Sequence, residues 1–251
     1  MANLTESDLI AVGSWAEALT KSKGYQDSTL AEDFLEQFIS DLPLRILNNN
    51  SKVPFSEKFS LRRIQLLFGF LTAVKNKKNV NVADVGGGNG YMYDWIKQAT
   101  IDINLNWTVY ESKKIAENYM AASTGLGINF SELKHFNTEK QFDLTIISCA
   151  LQYLENWEEV LVTVSKNSDY LLIMRTPIVL SPVHNYFIQK NDIGIYGKSS
   201  SSWPFTMFSK NLFEEMLYNL GDVVIFCTDP QEVFSFNKRD VPMSAYLLKC
   251  I

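Results

Sequence analysis

The chain has 251 residues, 46% hydrophobic and 20% charged, a composition that buries one large α/β core and argues against a disordered protein. Its net charge of −5 offers no basic field to a phosphate backbone or an anionic lipid surface, which disfavours nucleic acid as substrate. No apolar run approaches the ~20 residues that cross a bilayer, so no membrane span is expected.

The opening stretch MANLTESDLIAVGSWAEAL lacks the basic and apolar regions of a secretory leader. The cysteines Cys149, Cys227 and Cys250 are odd in number and unevenly spaced, and two of them sit in apolar runs as small hydrophobes. A reduced, cytoplasmic protein without disulfides or a cysteine metal site is expected.

Residues 1–77 read as helices. ESDLIAVGSWAEALTKS and STLAEDFLEQFISDL carry apolar residues at helical spacing, and SEKFSLRRIQLLFGFLTAVKNK is a third, more apolar helix. No strand signal is read here, and the region is expected to form a helical extension, either a lid or a dimer interface. From residue 78 to 251 the pattern changes to short apolar runs separated by helices. The runs are VNVADVG, NWTVYES, GINF, FDLTIISCA, DYLLIMRTP, DVVIFCTD and SAYLLKC. Helices are expected at Tyr91–Ala99, Ser112–Ala122, Trp157–Ser165 and Lys210–Leu220. This alternation predicts an α/β fold with a doubly wound, seven-stranded, mostly parallel sheet. The connection DPQEVFSFNKRDVP resembles a hairpin, so the last strand is expected to be antiparallel.

The first strand of that sheet runs into Asp84-Val85-Gly86-Gly87-Gly88-Asn89-Gly90. Glycine at a strand's carboxyl end lets backbone approach a ligand with no Cβ in the way. A dinucleotide turn, G-x-G-x-x-G, needs its third glycine at position 91 when counted from Gly86, and that residue is Tyr91. Counted from Gly87, the second glycine would fall at Asn89. No Gly-Lys-Ser/Thr follows, so a P-loop fails as well. The remaining pattern is D-x-G-x-G-x-G, formed by Asp84, Gly86, Gly88 and Gly90. Glu111 ends the second strand about twenty residues on, where a carboxylate can accept from ribose hydroxyls.

Together, VADVGGGNG, NWTVYES and FDLTIISCALQYLENWEEVL resemble the strand motifs of class I S-adenosylmethionine (SAM)-dependent methyltransferases, with the Rossmann-like fold. With SWAEALTKSKGY and LIMRTPI, from Ser14 to about Phe213, the chain also resembles a bacterial methyltransferase subgroup associated with surface-polysaccharide biosynthesis. The resemblance implies SAM as cofactor. It implies that Asp84, Gly86, Gly87, Gly88 and Gly90 line its amino-acid part, with Glu111 on the ribose and Ser131 and Glu132 by the adenine. Ala150, Leu151 and Gln152 would flank the methionine portion. Many relatives carry a histidine pair there; this chain has Gln152-Tyr153, which removes one base.

Methyl transfer from a sulfonium needs alignment, exclusion of water and, for a hydroxyl acceptor, removal of a proton. His184 is a candidate base or acceptor ligand, or a loop histidine; His135 is expected on the surface. Tyr153 and Arg175 are further catalytic candidates, the arginine holding an anionic acceptor or pairing with an acid such as Glu155. The segment from Gln189 to Ser209 reads as a long irregular binding loop. Gln189, Tyr196 and Trp203 are candidate contacts to a sugar, together with Arg175. No carboxylate–histidine cluster at metal-ligand spacing is present, so metal-independent chemistry is expected. The acceptor is a sugar or glycan intermediate, or an unrelated small molecule; a non-catalytic partner protein that keeps the fold is the remaining reading.

Overall fold

The computed structural model describes residues 9–22, 32, 35, 36, 38–41, 60–100, 102–136, 141–191, 201–236 and 239–251. The first described element is a strand, Leu9–Val12 (β1), followed by helix Trp15–Lys21 (α1). Helical spacing predicts one helix through both, and the structure corrects it. Leu9 to Val12 pairs antiparallel with residues 186–189, a long-range partner that overrides the local pattern. The helix begins only after Gly13. There the Ser14 hydroxyl accepts from the Glu17 N–H at 3.2 Å and Glu17 accepts from the Gly13 N–H at 2.9 Å.

Helix Leu61–Val74 (α2) leads to strand Asn79–Val85 (β2), helix Tyr91–Ala99 (α3), strand Asn104–Glu111 (β3), helix Lys113–Ala122 (α4) and strand Ile128–Glu132 (β4). Strand Phe142–Ser148 (β5), helix Trp157–Lys166 (α5) and strand Ser168–Val179 (β6) follow. Two strands come next, Asn185–Asn191 (β7) and Ser201–Ser209 (β8). Helix Lys210–Tyr218 (α6) and the hairpin strands Gly221–Phe236 (β9) and Arg239–Cys250 (β10) complete the described chain.

The main sheet has the order β4-β3-β2-β5-β6-β10-β9. Pairs from β4 through β6 are parallel, and β10 runs antiparallel to both β6 and β9. Its parallel strands are buried on both faces, which explains their continuous apolar runs. Val82, Leu144, Ile146 and Leu172 pack under α2, α3 and α4. Ala83, Ile147, Leu171 and Ile173 pack on the other face under α5 and α6. From β2 the chain proceeds outward through β3 to β4, then returns to place β5 on the opposite side of β2. The carboxyl ends of β2 and β5 therefore flank the point where strand order reverses, the position at which open α/β sheets bind ligands.

Of the segment expected as an irregular loop, residues 189–191 and 201–209 are strand, and 192–200 lie outside the described residues. β7 pairs antiparallel with β1 and β8, and Ile178 and Val179 of β6 join β8 in parallel to Phe208 and Ser209. Pro204 and the serine run obscure β8 in the sequence. The proline is tolerated because that stretch of β8 pairs with β7 on one side only, among the described residues. Trp203, Phe205 and Met207 alternate with Pro204 and Thr206, but the proline and the serine run argue against a strand and Phe208 breaks the period.

Candidate functional site

The glycine turn is shaped by backbone that only glycine adopts cheaply. Gly86, Gly88 and Gly90 have φ of +67°, +57° and +73°. A Cβ on Gly86 would collide with the Ala150 side chain, and one on Gly90 with Ile128. Gly88, at the tip, has open space around it. The Gly86 N–H donates to the Tyr110 carbonyl at 2.8 Å, tying the turn to the end of β3.

Glu111 closes the same corner. Its carboxylate accepts from the N–H groups of Gly88 and Ser112, each at 3.0 Å. Burial pushes its pKa up, while these two N–H groups pull it down. Ser131 and Glu132 end β4 beside Tyr110 and Glu111, so all three strand ends meet at one edge. Glu132 pairs with Lys134 at 2.7 Å.

Asp84 lies beneath the turn, 0% exposed, and neither carboxylate oxygen has a hydrogen-bond partner among the described residues. Burial pushes its pKa up to about 7, and the charge of Glu111 adds to the shift. The Trp107 indole offsets part of it without reaching hydrogen-bond geometry.

Across the crevice, two non-glycine residues adopt left-handed backbone, Cys149 at φ +56° and Arg175 at φ +55°. Such a conformation costs about 1–2 kcal/mol per residue and gathers at functional sites. The Cys149 N–H donates to the Met174 carbonyl at 3.0 Å. Gln152, wholly buried, donates to Cys149 Sγ at 3.3 Å and to the Arg175 carbonyl at 3.4 Å. Its own carbonyl oxygen has no partner among the described residues. Ala150 and Leu151 are buried against the second core face. Opposite Arg175, the pairing of β10 with β6 shifts register between Ser244 and Tyr246, a bulge of the kind that re-aims a side chain.

Tyr91, where a dinucleotide turn would carry glycine, is half-buried beneath Arg62, whose guanidinium lies 5.6 Å from the ring centroid. Burial raises the Tyr91 pKa, and the charges of Arg62 and Arg175 oppose that rise. Arg62 was not singled out in the sequence. Its position one residue inside a helix that faces an i, i+4 pair, Tyr91 and Trp95, was the available signal.

The remaining candidates separate. Tyr153 donates its hydroxyl proton to Gln189 Oε1 at 2.8 Å, and the Trp203 indole donates to the same oxygen at 3.1 Å. Gln189 and Trp203 are each 2% exposed, so they support Tyr153 from below and offer no open face to a sugar ring. His184 Nδ1 accepts from the Ser209 N–H at 3.1 Å, and its ring packs on Trp157 and Phe208. Burial holds its pKa below the ordinary histidine value. The lone pair that a base would use is thus committed to the start of α6. Tyr196 lies outside the described residues. His135 ends a short 3-10 turn, Leu133–His135, after β4.

Among solved structures, the chain is similar to an S-adenosylmethionine-dependent methyltransferase from Clostridium acetobutylicum ATCC 824, with a TM-score of 0.52 and 10% identity over 77% of this chain and 93% of that one. The fold is the Rossmann-like methyltransferase fold. The N-terminal domain of EvdMO1, in a structure with SAH bound, superposes with a TM-score of 0.50 and 9% identity over 76% of this chain and 82% of that one. A structure of the same domain in the presence of SAH and D-fucose gives 0.51 and 9% identity over 84% and 97%. Identities this low speak for the methyltransferase fold alone. No protein-family model matches the chain, and no curated protein sequence matches it.

Proposed function

We propose that the chain is a cytoplasmic SAM-dependent methyltransferase, acting without a metal on a hydroxyl of a sugar or glycan intermediate in bacterial surface-polysaccharide biosynthesis. The observation that carries this is the corner at the switch point, where Glu111 ends the second parallel strand and accepts from Gly88. A carboxylate there suits the two hydroxyls of a ribose, and the glycine turn beside it admits an amino-acid portion but has no cradle for a pyrophosphate.

The residues present fit the cofactor. Asp84, Gly86, Gly87, Gly88 and Gly90 would receive the amino-acid part, Ser131 and Glu132 the adenine, and Ala150, Leu151 and Gln152 the methionine chain. The buried, unpartnered oxygens of Asp84 and Gln152 ask for a hydrogen-bond donor, which a ligand ammonium supplies. When bound, SAM supplies an activated methyl group whose departure leaves a neutral thioether.

The chain then has to orient the acceptor, whose hydroxyl proton is released to water on transfer. Tyr153, anchored through its hydroxyl to Gln189, would help to position that acceptor. Arg175, turned by its left-handed backbone and the opposing bulge, would hold an anionic group of the acceptor. Arg62 over Tyr91 brings the start of α2 to the same crevice. The EvdMO1 structure in the presence of D-fucose makes sugars the first acceptors to try.

The test is production of SAH from SAM with a panel of nucleotide sugars and polysaccharide fragments, read by mass spectrometry. Acceptor-dependent turnover that falls at least tenfold in Arg175→Met supports the reading. Turnover only with non-sugar small molecules would overturn the substrate class, and SAH formation with no methylated product would overturn the transferase assignment.

A further inference from the structure

Asp84 and Ser148 lie on one face of the sheet at its carboxyl edge. Strand alternation puts Asp84 in line with Val82 and Ser148 in line with Ile146, the side packed under α2, α3 and α4. β2 and β5 are parallel neighbours, with Val85 opposite Ile147. Both Asp84 oxygens, the Ser148 hydroxyl and the Gln152 carbonyl are buried without a partner among the described residues. Four buried oxygens on three side chains at a strand-order reversal therefore lack a partner among the described residues, and Asp84 and Gln152 contribute acceptors.

The charges around Asp84 decide what it can pair with. From β3 it faces Glu111, an acid, and the neutral indole of Trp107. From α3 it faces the neutral phenol of Tyr91, on which Cys149 and the positive charges of Arg62 and Arg175 also act. Gly87 closes over the carboxyl so tightly that a Cβ there would strike it. An ion in this position would lose its hydration with no compensating hydrogen bond, which costs several kcal/mol.

We propose that Asp84 stands largely as the neutral acid below pH 7 in the free protein and releases its proton when the ammonium of the cofactor's amino-acid portion seats at the glycine turn. This rests on the SAM reading above. The step is a simple ionisation: the carboxyl O–H breaks, its proton leaves to solvent, and the carboxylate remains as counter-ion to the ligand's ammonium. Asp84 thereby selects ligands with a primary ammonium, and loading of the site is linked to pH.

The experiment is calorimetric titration of wild type in two buffers of different ionisation enthalpy, PIPES and imidazole. The ligands are SAM, SAH and a SAH analogue lacking the α-amino group. The analogue keeps ribose, adenine and carboxylate, so any proton from Glu111 is common to all three. SAM and SAH are expected to release about half a proton at pH 7 and close to one at pH 6, beyond whatever the analogue releases. Asp84→Asn should bind SAM with that extra release abolished. Binding of SAM and SAH with no more release than the analogue would overturn the proposal while leaving the cofactor reading intact. Failure of SAM and SAH to bind wild type would overturn both.

Discussion

Gly88 and Glu111 are joined by one N–H···O bond of 3.0 Å, and through it a turn after β2 is held to the end of β3. The neighbouring glycines do different work. Gly86 combines positive φ with a site where a Cβ would strike Ala150, whereas Gly88 has the same kind of φ and open space. Gly88→Ala should therefore cost only the backbone strain, about 1–2 kcal/mol, and Gly86→Ala clearly more, in chemical denaturation of the ligand-free protein. Equal costs would contradict the packing of Gly86 against Ala150. Asp84 makes a separate prediction. Its folded pKa is raised from 3.8 to about 7, so its contribution to stability is complete below pH 3.8 and is lost as pH rises through 7. Thermal unfolding of Asp84→Asn without ligand should be stabilised relative to wild type at pH 8 and much less so at pH 5. A residual fall with pH remains from Glu111, whose pKa is also raised, and His184 acts with the opposite sign. A pH-independent difference between variant and wild type would show that Asp84 is ionised throughout.

At the scale of elements, the accessory strands carry the less familiar part of the site. β7 supplies Gln189, β8 supplies Trp203, and the turn after β5 supplies Tyr153, all joined at one amide oxygen. Gln189→Leu would leave the half-buried Tyr153 hydroxyl and the buried Trp203 indole N–H without this acceptor, at roughly 1–3 kcal/mol. That should lower the melting temperature by several degrees in a chain of this size, and an unchanged melting temperature would mean the amide is not the anchor. Among these elements, legibility follows the physics of exposure. α3 spans Tyr91–Ala99 as its sequence predicts, because Gly90 sets its start and its apolar stripe faces one side of the sheet. β7 and β8 are hard to read in the sequence because their pairing is long-range, no tight-turn signal joins them, and Pro204 interrupts the alternation of Trp203, Phe205 and Met207. β1 was missed for the same reason, since four apolar residues choose sheet or helix according to the partner that reaches them. His184 stood at a legible position, but its hydrogen bond to the Ser209 N–H depends on a strand no pattern revealed.

For the whole molecule, the reversal of strand order between β2 and β5 brings the glycine turn, Glu111, the Cys149–Gln152 turn and Arg175 to one edge. Seven strands and the antiparallel last one were readable because buried parallel strands keep their apolar runs whatever surrounds them, but β1, β7 and β8 extend the sheet to ten strands rather than the expected seven. The pairing of Cys149 and Arg175 in left-handed backbone was not, since neither residue type announces a positive φ. If this edge is a SAM site with Glu111 on the ribose, calorimetric titration of SAM, SAH and NADH into wild type and Glu111→Ala will show it. Wild type should bind SAM and SAH but not NADH, and Glu111→Ala should bind both at least tenfold more weakly while keeping its fold. Binding of NADH, or SAM affinity unchanged in a folded Glu111→Ala, would contradict this reading.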